Sequence, residues 1–341
     1  MQGVRFAKAS DGTALAWRRS GSGPPLVKAA TWLTHLDYDR ESPIWAHQTA
    51  FLETHFDYLR YDERGCGMSD RDIGALGVET WVGDLRAVVE ASAVPRPFTL
   101  LAMSQGASTA LAYAARYPED VALIVLCGGF VRGADHRGDP QKAALNRAVI
   151  EVLRQGFNEG NPAFRDLFMA RFVPDGDAER LAWMSELCQR TTTPEAATTL
   201  LLARAEVDAT ACLADVTAPV LIFHAEDDAV VPVSEGHFLA RHLSEADFIS
   251  LPSANHILQA DEPAWDIFAR EVLARAGLDA PAEELTPREA EILSLICEAQ
   301  SNKQIARALD LSEKTVRNHA THIFAKLGVL TRAEAMRKAG R

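Results

Sequence analysis

Ser104 stands where an apolar run, Leu101-Ala102-Met103, gives way to Gln105-Gly106 and a helix-like stretch from Ala107 to Tyr117. A sharp strand-to-helix turn of this kind needs small neighbours. It lifts the serine oxygen above a sheet and directs a helix N-terminus at developing negative charge. A serine hydroxyl is a weak nucleophile until a base takes its proton, and the base must in turn be oriented by a carboxylate. Both partners occur downstream in the order acid, then histidine. Asp227 and Asp228 follow the apolar run Leu221-Ile222-Phe223-His224-Ala225, and His256 follows Ser253-Ala254-Asn255. Such a set transfers acyl groups from esters, lactones or amides.

These residues need a sheet to bring them together. From Val4 to about Leu278 strand-like and helix-like patterns alternate, which predicts a mostly parallel sheet covered by helices. Val4 to Ala7 and Ala14 to Arg18 flank Ser10-Asp11-Gly12 as an opening hairpin. Leu26 to Ala30, Tyr58 to Tyr61, Phe98 to Met103, Leu123 to Cys127, Val220 to Ala225 and Phe248 to Leu251 read as central strands. Between Val131 and Asp215 the strand pattern gives way to a helical one, the expected cap over a site.

Composition places the chain among ordinary globular proteins: 48% of its 341 residues are hydrophobic and 24% charged. MQGVRFAKASDGTALAW lacks the charged start and apolar run of a signal peptide, and no apolar run is long enough to span a bilayer, so a cytoplasmic location is expected. Cys66, Cys127, Cys188, Cys212 and Cys297 are scattered, and reduced thiols are expected. Neither CxxC nor HExxH occurs, and neither metal nor cofactor is expected.

The segment around Ser104 resembles the nucleophile elbow of the α/β hydrolases, with Ala102 where that family most often has Gly. The resemblance extends to Asp228-x-Val230-Val231-Pro232, whose register makes Asp228 the triad acid and Asp227 its runner-up, and to His256 as base, with Asn255 replacing the usual Gly. Asp62-x-Arg64-Gly65-x-Gly67-x-Ser69 is similar to the family's loop after the fourth strand, and a structural role is assigned to it. At Lys28-Ala29-Ala30-Thr31-Trp32, where many relatives carry His-Gly, Thr31 holds the glycine position. The backbone N–H groups of Trp32 and Gln105 are then the implied oxyanion donors. His35 and Tyr38, with Trp32 and Trp45, are candidates for an aromatic substrate pocket or for core packing.

The last segment follows a different logic. Thr286 with Glu289, Ser301 with Gln304 and Thr331 with Glu334 are three capping boxes, each opening a short helix, and Pro287 adds the favoured first-turn proline. A further helix starts at Ser312, where Thr315 replaces the acid that would repel phosphate. In it Val316, Ala320, Ile323 and Leu327 form one apolar stripe, and Arg317, Asn318 and Thr321 lie on other faces. Gly328 supplies a left-handed stop and Asp310-Leu311 a tight turn. Leu285-Thr286-x-Arg288-Glu289, Ser301-Asn302-Lys303-x-Ile305-Ala306, Ser312-x-x-Thr315-Val316-Arg317-x-His319 and Lys326-Leu327-Gly328-Val329 resemble, in order, the LuxR/GerE-type helix-turn-helix of bacterial transcription regulators. The resemblance implies base-edge contacts from Arg317, Asn318 and Thr321, and phosphate contacts from Lys303, Lys314, Thr315, His319 and Lys326. It also implies a homodimer on an inverted-repeat operator in double-stranded DNA, paired through the fourth helix.

Charge agrees with this division. Residues 283–341 carry +2 while the whole chain carries −12, and from Lys314 onward seven basic residues face one acidic residue. The expected organisation is an α/β-hydrolase body over 1–278 with a helical cap at about 131–215, a linker at 279–284, and a four-helix DNA-binding domain over 285–341. The function expected is that of a transcription regulator whose body senses, and can hydrolyse, a small carbonyl-containing ligand. The alternative is a serine hydrolase carrying the helix-turn-helix as an accessory module.

Overall fold

The structure is a computed structural model that describes residues 3–158, 162–278, 285–327, 329 and 331–339. The expected linker, 279–284, and Gly328 lie outside the described residues. Contacts divide the chain into two units, Met1–Ile257 and Leu258–Arg341.

In the first unit eight strands form one sheet: β1 (Arg5–Lys8), β2 (Ala14–Ser20), β3 (Pro25–Lys28), β4 (Asp57–Tyr61), β5 (Phe98–Met103), β6 (Val121–Cys127), β7 (Val220–Ala225) and β8 (Ala246–Leu251). Their order is β1-β2-β4-β3-β5-β6-β7-β8, with the β1–β2 and β2–β4 pairings antiparallel and every other pairing parallel. The eight segments read from the sequence are these strands, with small differences at their ends. β5 and β7 are buried at every position, which is why they are unbroken apolar runs rather than alternating ones. Helices α1 (Ala46–His55), α2 (Val78–Ser92) and α3 (Gly106–Arg116) precede the cap. A core of Leu, Val and Ala side chains from α2, α3 and the sheet is sealed from water, each large one worth roughly 1.5–3 kcal/mol on burial.

Among the described residues, the segment between β6 and β7 contains no strand. It holds α4 (Pro140–Gly156), α5 (Ala163–Met169), α6 (Ala178–Thr191) and α7 (Pro194–Ala205), followed after β7 by α8 (Val233–His242). Asp139, Asp177 and Thr193 cap α4, α6 and α7 by accepting from the N–H groups of Lys142, Arg180 and Ala196. The two ends of this helical block are tied to each other: Gly133 donates to the Val207 carbonyl (2.7 Å) and Ala209 to that of Val131 (3.0 Å). The block is therefore an insertion on a closed neck.

The second unit comprises α9 (Pro263–Arg275), α10 (Pro287–Cys297), α11 (Asn302–Leu309), α12 (Glu313–Lys326) and α13 (Arg332–Ala339). The capping boxes at Thr286 and Ser301 are complete in both directions, and Thr331 exchanges the same two bonds with Glu334. Ser312 Oγ accepts from the Thr315 N–H at 3.0 Å without a reciprocal acid. Asp310 adopts the left-handed conformation (φ 54°) that turns α11 into α12. Ile292, Ile296, Ile305, Val316, Ala320 and Ile323 close a small core. Within this unit α9 packs on α12, with Asp266 Oδ2 3.8 Å from His322 Nε2.

The Asp62 loop has the structural role expected. Asp62 accepts from the N–H groups of Leu36 (3.0 Å) and Met68 (2.9 Å), and Arg64 forks onto Asp84. Gly67 (φ +55°) leaves no room for a side chain, because a Cβ there would lie 2.1 Å from Asp62 Oδ2. Gly67→Ala is expected to destabilise the body by about 2 kcal/mol or more, through strain and loss of the Asp62 bonds, measured as a lowered urea midpoint. A midpoint equal to wild type would show that the loop tolerates another path.

Candidate functional site

The carboxyl ends of the central parallel strands are where an open α/β sheet presents its ligand site, because chain direction reverses just beyond them. β5 ends on Ser104, β6 on Gly128, the loop after β7 carries Asp228, and the loop after β8 carries His256. Ser104 has φ +48°, a left-handed conformation that a serine adopts only under constraint, and its N–H is held by the Cys127 carbonyl at 3.0 Å.

Asp228 and His256 form a closed pair. His256 Nδ1 donates to Asp228 Oδ2 at 2.6 Å, while Oδ1 accepts from the N–H groups of Val230 (2.8 Å) and Val231 (2.9 Å). Burial alone would raise the Asp228 pKa, but the adjacent His256 and the Val231 N–H overcome it and hold the carboxyl below its ordinary value. Asp227 is exposed and makes no such bond to His256. Gly128 completes the arrangement: at φ +57°, a Cβ would press to 3.0 Å from His256 Cε1 and 3.4 Å from Asp228 Oδ2. His224 packs behind, its Nε2–H on the Val231 carbonyl (2.9 Å), and burial lowers its pKa so that it stays neutral.

The nucleophile half is arranged differently. Among the described residues no hydrogen bond joins Ser104 Oγ to His256, although both line one small cavity of about 30 Å³. The Gln105 side chain occupies both the Ser104 hydroxyl and an N–H expected to serve as oxyanion donor. With the amide oriented so that its nitrogen meets an acceptor and its oxygen meets donors, the nitrogen donates to Ser104 Oγ (3.0 Å), and the oxygen accepts from the Trp32 N–H (2.8 Å) and Arg204 Nη1 (2.7 Å). Arg204, on α7, is itself ion-paired with Glu63 in a buried contact and lies over the Trp81 ring. A carbonyl entering to use Trp32 as oxyanion donor must first move this amide. The cleft around Ser104 has a volume of about 70 Å³, with Trp32, Phe168 and Phe172 among its walls. Ring contacts run from Trp32 to Phe168 (5.6 Å), on to Phe172 (5.5 Å) and to His256 (5.7 Å), so aromatic cap residues touch both Trp32 and His256.

Two pocket expectations are corrected. His35 and Tyr38 do not line the Ser104 cleft. His35 Nδ1 accepts from the N–H groups of Asp37 and Tyr38, and Tyr38, the first residue of a 3-10 turn at Tyr38–Glu41, stacks on Trp183 at 4.9 Å. Trp45 does reach the small cavity. Sequence reading missed Arg137, Arg171 and Arg204 as lining residues. Nothing local distinguishes them from other arginines of the cap.

On the helix-turn-helix, Lys303, Lys314, Arg317 and Asn318 are exposed, and Thr315, His319 and Thr321 are half-buried. Thr321 Oγ1 donates back to the Arg317 carbonyl (3.0 Å). Lys326 departs from its expected role as a phosphate contact. Its Nζ is 2.8 Å from Glu289 Oε2, with the side chain 17% exposed, so it serves the domain's internal pairing.

An activated fluorophosphonate is expected to label Ser104, and Ser104→Ala to abolish labelling, read by intact mass. Gln105→Ala is expected to speed labelling about three- to tenfold, the worth of about one displaced hydrogen bond, since the Trp32 donor and Ser104 Oγ are then free. A slower or unchanged rate would mean the Gln105 amide does not obstruct the site.

The model of the serine aminopeptidase S33 family matches residues 46–263, and that of the luxR family of bacterial regulatory proteins matches residues 283–339. The chain is 38% identical over 128 residues to the transcriptional regulatory protein LiaR of Bacillus subtilis, covering 36% of this chain and 61% of LiaR. It spans less than two thirds of the length of the first regulators it matches. It is 27% identical over 244 residues to a pimeloyl-[acyl-carrier protein] methyl ester esterase of Nitrosomonas europaea, covering 70% of this chain and 90% of the esterase. The enol-lactonase structure from Burkholderia xenovorans has the same fold, with a TM-score of 0.62 at 24% identity over 79% of this chain and 98% of that one. The chain therefore belongs to the serine aminopeptidase S33 family of α/β hydrolases and carries, after that body, a LuxR-type helix-turn-helix.

Proposed function

We propose that the protein is a DNA-binding transcription regulator whose hydrolase body senses a small carbonyl compound at Ser104, and that the same site can hydrolyse it. The single observation that carries this reading is the Gln105 amide, bonded at once to Ser104 Oγ, the Trp32 N–H and Arg204 of the cap. A ligand carbonyl that takes the Trp32 donor breaks these bonds together, so occupied and empty sites differ in what holds α7. A ligand shifts a conformational equilibrium only through such differential contacts. The esterase and enol-lactonase relatives act on esters and lactones by name, which supports a carbonyl ligand. The LuxR-type segment supports DNA as partner, read as a homodimer on an inverted repeat with half-sites about 34 Å apart.

On this reading Arg317, Asn318 and Thr321 read base edges, while Lys303, Lys314, Thr315 and His319 hold phosphates. Binding sites selected from random double-stranded DNA should converge on an inverted repeat. Arg317→Ala should cost about 1–3 kcal/mol on that repeat and relax its sequence preference, whereas Lys314→Ala should weaken all sequences alike and reduce the salt slope. Failure to enrich any sequence would overturn the regulator reading.

Coupling is tested by titrating operator affinity against small esters and lactones. A change of about 1–3 kcal/mol is expected at saturation, with the reciprocal change in ligand affinity on DNA. With a hydrolysable ligand, Ser104→Ala should prolong the response. Identical operator curves at saturation would mean the two modules are merely tethered.

A further inference from the structure

The Ser104 cleft adjoins a larger cavity of about 500 Å³ lined by α4 and the loop after β7, and the two share Arg137, Asn146 and Arg171 in their walls. These arginines stand apart from their neighbours. Arg132 is paired with Glu235, Arg147 with Asp135 and Arg204 with Glu63. Arg137, by contrast, makes one bond, from Nε to the Arg132 carbonyl (3.0 Å), and packs over the Phe130 ring. Among the described residues Arg171 makes neither a hydrogen bond nor an ion pair, and has only the Phe168 ring at 5.8 Å.

The cavity's own carboxylates do not supply the missing partner. Asp228 has both oxygens taken by His256, Val230 and Val231, and Glu235 is held by Arg132. Asp139 caps α4 and lies near Lys142. Burial lowers the pKa of both arginines, and the charges of Asp228 on both and of Glu235 on Arg137, none of them in contact, oppose the shift without cancelling it. Carboxylates outnumber basic residues, 47 to 35, so an unpaired guanidinium pair in a cavity is not forced by composition. Both arginines are half-buried, and a charge drawn partly out of water is retained at a cost unless something pairs with it.

We infer that Arg137 and Arg171 form an anion subsite at the neck between the two cavities, and that the ligand is a small carbonyl compound bearing a carboxylate. This rests on the reading of Ser104 as the carbonyl site and names the ligand's class. The planar fork of a guanidinium matches a carboxylate. The inner cleft's 70 Å³ admits only a few heavy atoms, so carbonyl and carboxylate are separated by a short chain. Arg171 is followed in the chain by Phe172, whose ring meets His256 and whose carbonyl accepts the Ile257 N–H (3.1 Å). Anion binding is thereby connected to the base.

The test uses full-length protein and calorimetry with the monoamides and diamides of succinic, glutaric and adipic acids, pairs alike in shape but differing by one charge. At least one monoamide should bind about tenfold or more tighter than its diamide. Arg137→Gln and Arg171→Gln should each erase most of that preference, and Arg147→Gln, on the cap surface, should not. Inorganic phosphate and sulfate should compete more weakly than the monoamide, as poorer matches to a paired planar acid. Equal binding of monoamide and diamide throughout the series, or absence of binding by every monoamide, overturns the subsite without reliance on any variant. A wild-type preference unaltered in both arginine variants overturns it too. If the arginine-dependent preference is present but ligands leave operator affinity unchanged, the sensor reading fails while the subsite stands.

Discussion

A carboxylate buried at the end of a parallel sheet must be kept charged, and much of the body is arranged around that requirement at Asp228. Two backbone N–H groups and His256 satisfy it, so its pKa falls despite burial. The pair fits only because Gly128 leaves the end of β6 bare, and because β7 and β8 run parallel and adjacent, so that their following loops meet. From this pair outward, Phe172 packs on the imidazole from the cap side, and Phe168 continues the packing to Trp32.

Against that rigid half, the nucleophile half is occupied by a side chain. Gln105 satisfies the donor and the hydroxyl that chemistry would use, and connects them through Arg204 to Glu63, where burial raises the carboxyl's pKa and the guanidinium opposes the rise. Breaking one partner of a buried ion pair is costly, so the Arg204–Glu63 pair holds α7 firmly while the amide contact is the yielding link.

The DNA-binding unit is stabilised by economical local means. Its helices are short, and short helices are marginal without caps and a shared core. Three reciprocal capping arrangements and a small aliphatic core meet that need. At α12 the residue three after the cap is Thr315, whose N–H donates to Ser312 Oγ, in place of the Glu or Gln that closes the other three boxes.

What the sequence alone determined is whatever local spacing encodes. The strands of the sheet, the elbow at Ser104, the helical block between β6 and β7 and the capped helices near the end depend on hydrogen bonds and burial patterns within a few residues. Those patterns are written in order along the chain. Tertiary structure decided the contacts between distant residues. Lys326, an outward phosphate contact by pattern, meets Glu289, 37 residues away. Arg204 meets Glu63 across 141 residues. His35 binds the Asp37 N–H and Tyr38 stacks on Trp183 of α6, and neither lines the Ser104 cleft. The missing partners of Arg137 and Arg171 were equally invisible, since an arginine's type reveals its charge but only the folded surroundings reveal whether a carboxylate has been placed beside it.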